Sequence, residues 1–223
     1  MRFFLNTSIS VLFITLILVF WLIGFYWFSL PLLLIYLIIL FFSRRLSPAF
    51  KEDGTLKKGI FYSPVNGRLV QKTDSFQHPT YGTNCTELVI VSSWWREHGI
   101  YFPMKSEVDN LSYIGNKGHF RYWYKSHFIK GKERQPSLVL GMSCSNAASF
   151  GIEFYKCPFG FWPKLIIIPG DRGKAQVNMG FFGMGGTTVV YLPSEYEVTA
   201  KEGMTVIAGQ TILARTTEHE KVD

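Results

Sequence analysis

Residues 196–214 read Tyr-Glu-Val-Thr-Ala-Lys-Glu-Gly-Met-Thr-Val-Ile-Ala-Gly-Gln-Thr-Ile-Leu-Ala, two short β-branched runs punctuated by Gly203 and Gly209. Such runs are too brief for helices and suit pleated strands. Glycine is the residue that enters a left-handed turn without steric cost. The phrase therefore predicts strand, turn, short strand at Val206, turn, strand, the pattern of a barrel-sandwich unit.

Outward from that stretch the same grammar recurs. Ser63-Pro-Val-Asn-Gly-Arg-Leu-Val carries an Asn66-Gly67 step, a type I′ turn signal between strands. Further runs at Glu87–Ser92, Leu138–Met142, Leu165–Ile168, Thr187–Leu192 and Thr205–Leu213 are bounded by Gly, Pro and Asn. One helix is expected near Ser145–Phe154. The fold class predicted is mainly β, barrel-sandwich-like with some α.

The N-terminus follows different rules. No charged residue occurs from Phe3 to Phe42, far more than the ~18 apolar residues that a single span requires. Gly24, the aromatic cluster Phe25–Phe28 and Pro31 interrupt the run. This predicts a transmembrane helical hairpin, Asn6–Gly24 and Pro31–Phe42, with a re-entrant hairpin as the alternative for the short second arm. A secretory signal is excluded by the length of the run and by the lack of a small-residue cleavage site. The expected organisation is a hairpin anchor over 1–43, a linker over 44–59 and a domain over 60–223.

Charge sets the partners. Lys and Arg total 23 against 16 Asp and Glu, a net +7. Arg2, Arg44, Arg45, Lys51, Lys57 and Lys58 flank the apolar run, and by the positive-inside rule they point to the inner membrane with the domain facing the cytoplasm. Cationic residues near a bilayer meet anionic headgroups first, so a phospholipid membrane is the expected partner. A membrane protein is the second candidate, and no nucleic-acid signature is present. Cys85, Cys144 and Cys157 form neither a disulfide set nor a metal pair, which suits a reducing compartment and predicts no metal.

Two stretches keep two readings each. His119–Lys132 interleaves aromatics with cations, as an interfacial strip or as a half-buried strand with a basic face. Cys157–Pro163 reads as core filling, with a membrane-dipping loop as the alternative. The run Gly183-Met-Gly-Gly lacks phosphate-loop spacing and reads as a tight turn.

Taken in order, these segments resemble the short bacterial form of phosphatidylserine decarboxylase. That family carries an S-P-x-D-G turn, aligned on Ser63–Gly67, and a D-x-H-x-x-[HR]-x-P segment, aligned on Arg96–Pro103. A late Gly-Ser before a hydrophobic strand ending in Pro is aligned on Met179–Pro193. The resemblance implies a chain that cuts itself before a serine and leaves a pyruvoyl group as electron sink for decarboxylation. It also implies an acid and a histidine acting on that serine.

The departures fall on those parts. Asn66 stands where the turn's acid is expected, and an amide neither carries a charge nor takes up a proton at neutral pH. His98 keeps the first imidazole of its segment, which the family relates to substrate handling, and Tyr101 replaces its later His or Arg. Gly186 occupies the serine position. The reading that follows is a non-processing pseudoenzyme that binds anionic or amino-phospholipid, or a partner, at the membrane surface, with no cofactor expected. The alternative is an active phospholipid decarboxylase in which Thr187 supplies the hydroxyl and a pyruvoyl-type carbonyl forms there. A biotinyl- or lipoyl-like carrier shares the turn pattern but needs a Met-Lys tip that is missing.

Overall fold

β-Branched and aromatic residues alternate through most of the chain with the period of two that half-buried strands require. The computed structural model describes residues 2–3, 7–42, 44–45, 59–78, 81–92, 96–114, 136–144, 149–156 and 162–216. They divide into two compact units, Met1–Ser47 and Pro48–Asp223. The strip at His119–Lys132 lies outside the described residues. So does most of Cys157–Pro163, of which Trp162 is exposed and Pro163 buried.

In the first unit, strand β1 (Arg2–Phe3) is followed by helices α1 (Thr7–Leu22) and α2 (Tyr26–Phe42) and strand β2 (Arg44–Arg45), which pairs antiparallel with β1. Gly24 takes a φ of 86° between the helices. Ring contacts of Phe13 with Tyr36 and of Phe20 with Phe28 run the two helices side by side in opposite directions. The expected transmembrane hairpin does not follow. The helices have 16 and 17 residues, and at ~1.5 Å per residue each reaches about 25 Å, short of a ~30 Å hydrocarbon core. No helix among the described residues is long and apolar enough to cross a membrane. Length per arm fails where total apolar length sufficed, because the turn consumes residues in the middle of the run. Helix α2 also begins at Tyr26 and takes Pro31 inside it, where the sequence suggested a start.

The second unit begins with β3 (Ile60–Tyr62), β4 (Gly67–His78), β5 (Gly82–Val91), β6 (Gly99–Tyr101) and β7 (Ser106–Tyr113). It continues with β8 (Leu138–Ser143), β9 (Ser149–Lys156), β10 (Lys164–Leu165), β11 (Arg172–Gly173) and β12 (Asn178–Phe181). It ends with β13 (Gly186–Leu192), β14 (Tyr196–Val198), β15 (Thr205–Val206) and β16 (Ile212–Thr216). An eight-stranded sheet has the order β11-β7-β8-β9-β13-β5-β4-β15, and two three-stranded sheets run β10-β12-β6 and β14-β16-β3. The strand pairs among the described residues of this unit are antiparallel. Gly203 and Gly209, at φ 82° and 67°, make the turns on either side of β15.

One core joins the three sheets: Phe61 and Leu213 from the β3–β16 sheet, Ile100 and Met179 from the β6–β12 sheet, and Leu88, Ile152 and Val190 from the large one. The centre of the large sheet is covered on both faces. Along β13, Val190 and Leu192 enter this core, whereas Val189 and Tyr191 join a second cluster with Val89 and Tyr155.

Two local expectations are corrected here. Residues 149–156 form β9 in place of a helix, because Phe150, Ile152 and Phe154 point to one face and Glu153 and Tyr155 to the other. Asn66-Gly67 is not a type I′ turn, since neither residue is among those with positive φ. Gly67 opens β4, and a Cβ there would lie 2.5 Å from the carbonyl oxygen of Val91. Its purpose is close approach of β4 to β5.

Phe61 ties the small sheet to the large one, packing edge-on to Phe150 at 5.1 Å and to Tyr196 at 6.2 Å. Phe61→Ala is expected to cost about 3–5 kcal/mol, a large part of the ~5–15 kcal/mol total of a domain. Urea denaturation followed by circular dichroism measures it, and a loss below about 1 kcal/mol contradicts this packing role.

Candidate functional site

The loop before β4 is held from both sides. Ser63 N–H donates to Thr211 O, Gly209 N–H donates to Ser63 O, and the Ser63 hydroxyl donates to Val65 O. Tyr101 N–H donates to Pro64 O at 2.9 Å, fastening the loop to β6. These contacts bury Asn66 and fix both ends of its amide. Its Oδ1 accepts from Ala208 N–H at 3.0 Å, and its Nδ2 donates to Glu97 O at 3.2 Å and to Glu97 Oε2.

Glu97 is the centre of this arrangement. Its Oε1 accepts from the Tyr101 hydroxyl at 2.7 Å and from Gly99 N–H at 3.1 Å. A buried carboxylate is tolerated when several donors replace its water, and here three groups do so. Gly99 must be glycine, because a Cβ would lie 2.3 Å from Glu97 Oε1 and 2.6 Å from the Tyr101 ring. Asn66, Glu97 and His98 border one narrow crevice together with Val65, Ser92, Gly99 and Phe182. Phe182 N–H donates to His98 O at 2.7 Å.

Gly186 meets this crevice through the backbone, its carbonyl accepting from Ser92 N–H at 2.8 Å. The preceding turn is left-handed at Met184 and Gly185, at φ 62° and 70°, and Gly185 N–H closes it onto Phe182 O. At Gly186 a Cβ would lie 2.3 Å from both Phe182 Cζ and Tyr155 O.

Thr187 goes the other way. It lies opposite Val91 and Tyr155 in the ladder, and side chains alternate along a strand. Its side chain therefore shares the face of Val189 and Tyr191, while Phe182 and Val65 of the crevice belong to the opposite core. The Thr187 hydroxyl is buried without a hydrogen-bond partner among the described residues.

The structure thus brings Asn66, His98 and Tyr101 together, sets Gly186 beside them and turns Thr187 away. Sequence reasoning missed Glu97, Ser92 and Phe182. Glu97 stood next to His98 in the aligned segment, but at a position the pattern leaves open; an acid inside so aromatic a stretch was the available signal.

Domain membership follows from this order of parts. The family model for phosphatidylserine decarboxylase matches residues 38–214. The chain belongs to the phosphatidylserine decarboxylase family. A protein of Chlorobaculum tepidum named phosphatidylserine decarboxylase proenzyme is 27% identical over 162 residues, 71% of this chain and 70% of the relative. A proenzyme of the same name from Chlorobaculum parvum is 27% identical over 83% of this chain and 81% of its own length. A third, from Parabacteroides distasonis, is 24% identical over 81% and 79%. The family's activity uses a pyruvoyl group and acts on a phospholipid. At Gly186, the position that the sequence resemblance pairs with the family's serine, the residues present do not fit that group's formation: glycine has no hydroxyl, and a Cβ there would meet Phe182 and the Tyr155 carbonyl.

A second buried carboxylate lies on the far face of the large sheet. Glu153 Oε2 accepts from the Tyr155 hydroxyl at 2.7 Å and the Tyr191 hydroxyl at 3.0 Å, and His78 Nε2 lies 3.7 Å from Oε1. The His78 ring stacks on Tyr81 at 4.6 Å. Burial pushes the Glu153 carboxyl upward, but the hydrogen bonds from His78, Tyr155 and Tyr191 and the charge of His78 outweigh it and hold it below its ordinary value of 4.5. Tyr81, beside it, is pushed up to about 12 by burial, with Glu153 and Asp109 adding to the shift.

Two outcomes are expected. Asn66→Asp sets two carboxylates in contact, so one holds its proton in the folded state. A raised folded-state value makes the loss grow as pH rises above ~4, reaching roughly 1–3 kcal/mol at neutral pH. Adding Glu97→Gln restores a donor–acceptor pair and recovers stability; chemical denaturation of both variants at pH 5 and pH 8 measures this. For Glu153 the sign is opposite: its depressed value contributes stability above 4.5 that is lost as pH falls. Tyr155→Phe with Tyr191→Phe is expected to move the acid-unfolding midpoint to higher pH, read by circular dichroism.

Proposed function

We propose that this chain is a non-processing member of its family, a protein that keeps the decarboxylase scaffold and binds phospholipid at a membrane surface without cutting itself. One observation carries this reading: where the aligned serine would stand, Gly186 is packed against Phe182 and the Tyr155 carbonyl. Self-cleavage needs a hydroxyl directed at the preceding carbonyl. Here neither the hydroxyl nor the room for it exists.

The surrounding residues support binding in place of catalysis. Both arms of the Asn66 amide are engaged, and the Glu97 carboxylate is committed to Tyr101, Gly99 and Asn66. His98, buried beside the same crevice, is the imidazole that the resemblance relates to substrate handling. The site proposed for the protein is the cytoplasmic side of the inner membrane, supported by the net charge of +7 and by a set of three cysteines without CxxC spacing. A membrane protein partner is the second candidate at that surface.

The second reading, an active lyase cut before Thr187, draws on the buried Thr187 hydroxyl that has no hydrogen-bond partner among the described residues. Against it stands the strand alternation, which separates that hydroxyl from Asn66 and His98. Intact-mass analysis of the purified full chain separates the readings. One uncut chain is expected, and Gly186→Ser is expected to stay uncut as well, because the added side chain has no space. A fragment that begins at Thr187 and carries a hydroxylamine-reactive carbonyl contradicts the non-processing reading.

A further inference from the structure

The edge of the β10-β12-β6 sheet is built inside out. From Trp162 to Ile168 side chains alternate with period two: Pro163 and Ile167 are buried, and Trp162, Lys164, Ile166 and Ile168 are exposed. Ile166 and Ile168 are 68% and 66% exposed. A solvent-facing strand edge normally displays polar residues, often lysine. This one displays Trp, Lys, Ile and Ile.

The display is rigid. Ile166 N–H donates to Met179 O, so the chain continues along β12 beyond the last paired residue of β10. Asp171 Oδ2 accepts from Ile168 N–H at 2.9 Å, and Asp171 N–H donates back to Ile168 O. Gly170 N–H donates to Val108 O, and Val108 N–H donates to Asp171 O, which ties the tip to β7. Two isoleucines held outward on a braced turn are not the product of a loose loop. Val177, two residues before Met179, adds a further exposed apolar side chain at 45%.

Cations line the same edge. Lys164 and Lys174 are exposed, and Lys156 Nζ sits 5.3 Å from the centre of the Trp162 ring. Arg172 is paired with Glu107, and Asp171 is occupied in the turn. Trp and Lys at headgroup depth, with isoleucine beyond them, match the layering of an anionic bilayer. An apolar patch rimmed by cations marks an interaction site. Its charge selects a lipid surface bearing negative headgroups over a neutral partner.

The position of this edge serves the crevice. Lys164 pairs with Phe181, whose neighbour Phe182 borders the crevice, and β12 runs from there back toward Val177. Four residues at ~3.3 Å each put the apolar tip about 13 Å from the crevice end of the strand. We infer that the Trp162–Ile168 edge is a docking surface for an anionic phospholipid bilayer, its isoleucines entering the acyl region and Lys164 resting on phosphates. The inference rests on the phospholipid reading above and is independent of whether the chain cuts itself.

The test is a nitroxide at Ile168→Cys in the full chain, with Cys85, Cys144 and Cys157 changed to Ser. A second label at Ile166→Cys and a reference at Val70→Cys on β4 accompany it. Collision rates with oxygen and with a water-soluble nickel chelate are measured with and without vesicles containing phosphatidylglycerol. Labels at 166 and 168 are expected to gain oxygen and lose chelate collisions several-fold, while the label at 70 does not change. Three results overturn the inference. One is chelate access at 168 equal to that at 70 on vesicles. Another is an equal shift on purely phosphatidylcholine vesicles. The third is dipolar broadening between labels without lipid, which assigns the edge to a second copy. The intact mass of the same preparations reports on self-cleavage separately.

Discussion

A carboxylate without water must find donors, and Glu97 organises the centre of this protein around that need. Its three donors are Asn66, brought from the loop before β4, and Gly99 and Tyr101, the two ends of the adjoining β6. Asn66 in turn reaches Ala208, between β15 and β16. One charge thereby binds the loop at 63–67, the β6 strand and the turn near Gly209. Losing a single donor leaves the others aimed at an undersatisfied anion, which makes the group cooperative.

The same network accounts together for Asn66 and Tyr101, the positions where the sequence resemblance sets an acid and a His or Arg. With Glu97 buried beside position 66, an acid there would face another acid, whereas an amide donates to Glu97 and accepts from Ala208. Tyr101 places a hydroxyl where its proton meets Glu97 Oε1. Asn66 and Tyr101 are thus mutually consistent with Glu97. Read one at a time they were only losses.

Strand alternation sets the other limit. β13 is buried on both faces, so adjacent residues serve different clusters. Gly186 is packed among Phe182 and the Tyr155 carbonyl, and Thr187 joins the face that carries Glu153, Tyr155 and Tyr191. A shift of one residue in the chain is a change of face in space, which no local substitution bridges.

The chain's own letters determined a good deal. Short β-branched runs with Gly203 and Gly209 between them specified strands and turns at the C-terminus, because φ/ψ preference and period-two burial act within a few residues. The order of motifs along the chain singled out His98, Asn66, Tyr101 and Gly186 as candidates, and Asn66 and His98 border one crevice. Other features required the folded molecule. Asn66-Gly67 has the letters of a tight turn, yet Gly67 answers to the Val91 carbonyl across the ladder. Residues 149–156 allow a helix locally and become a strand between β8 and β13. The apolar N-terminus is long enough in total, but the break at Ile23–Phe25 leaves two helices of 16 and 17 residues. Glu97, and the face to which Thr187 belongs, were decided only by tertiary structure. Partners 31 or more residues distant cannot be read from spacing, since which groups meet depends on how the sheets close over a shared core.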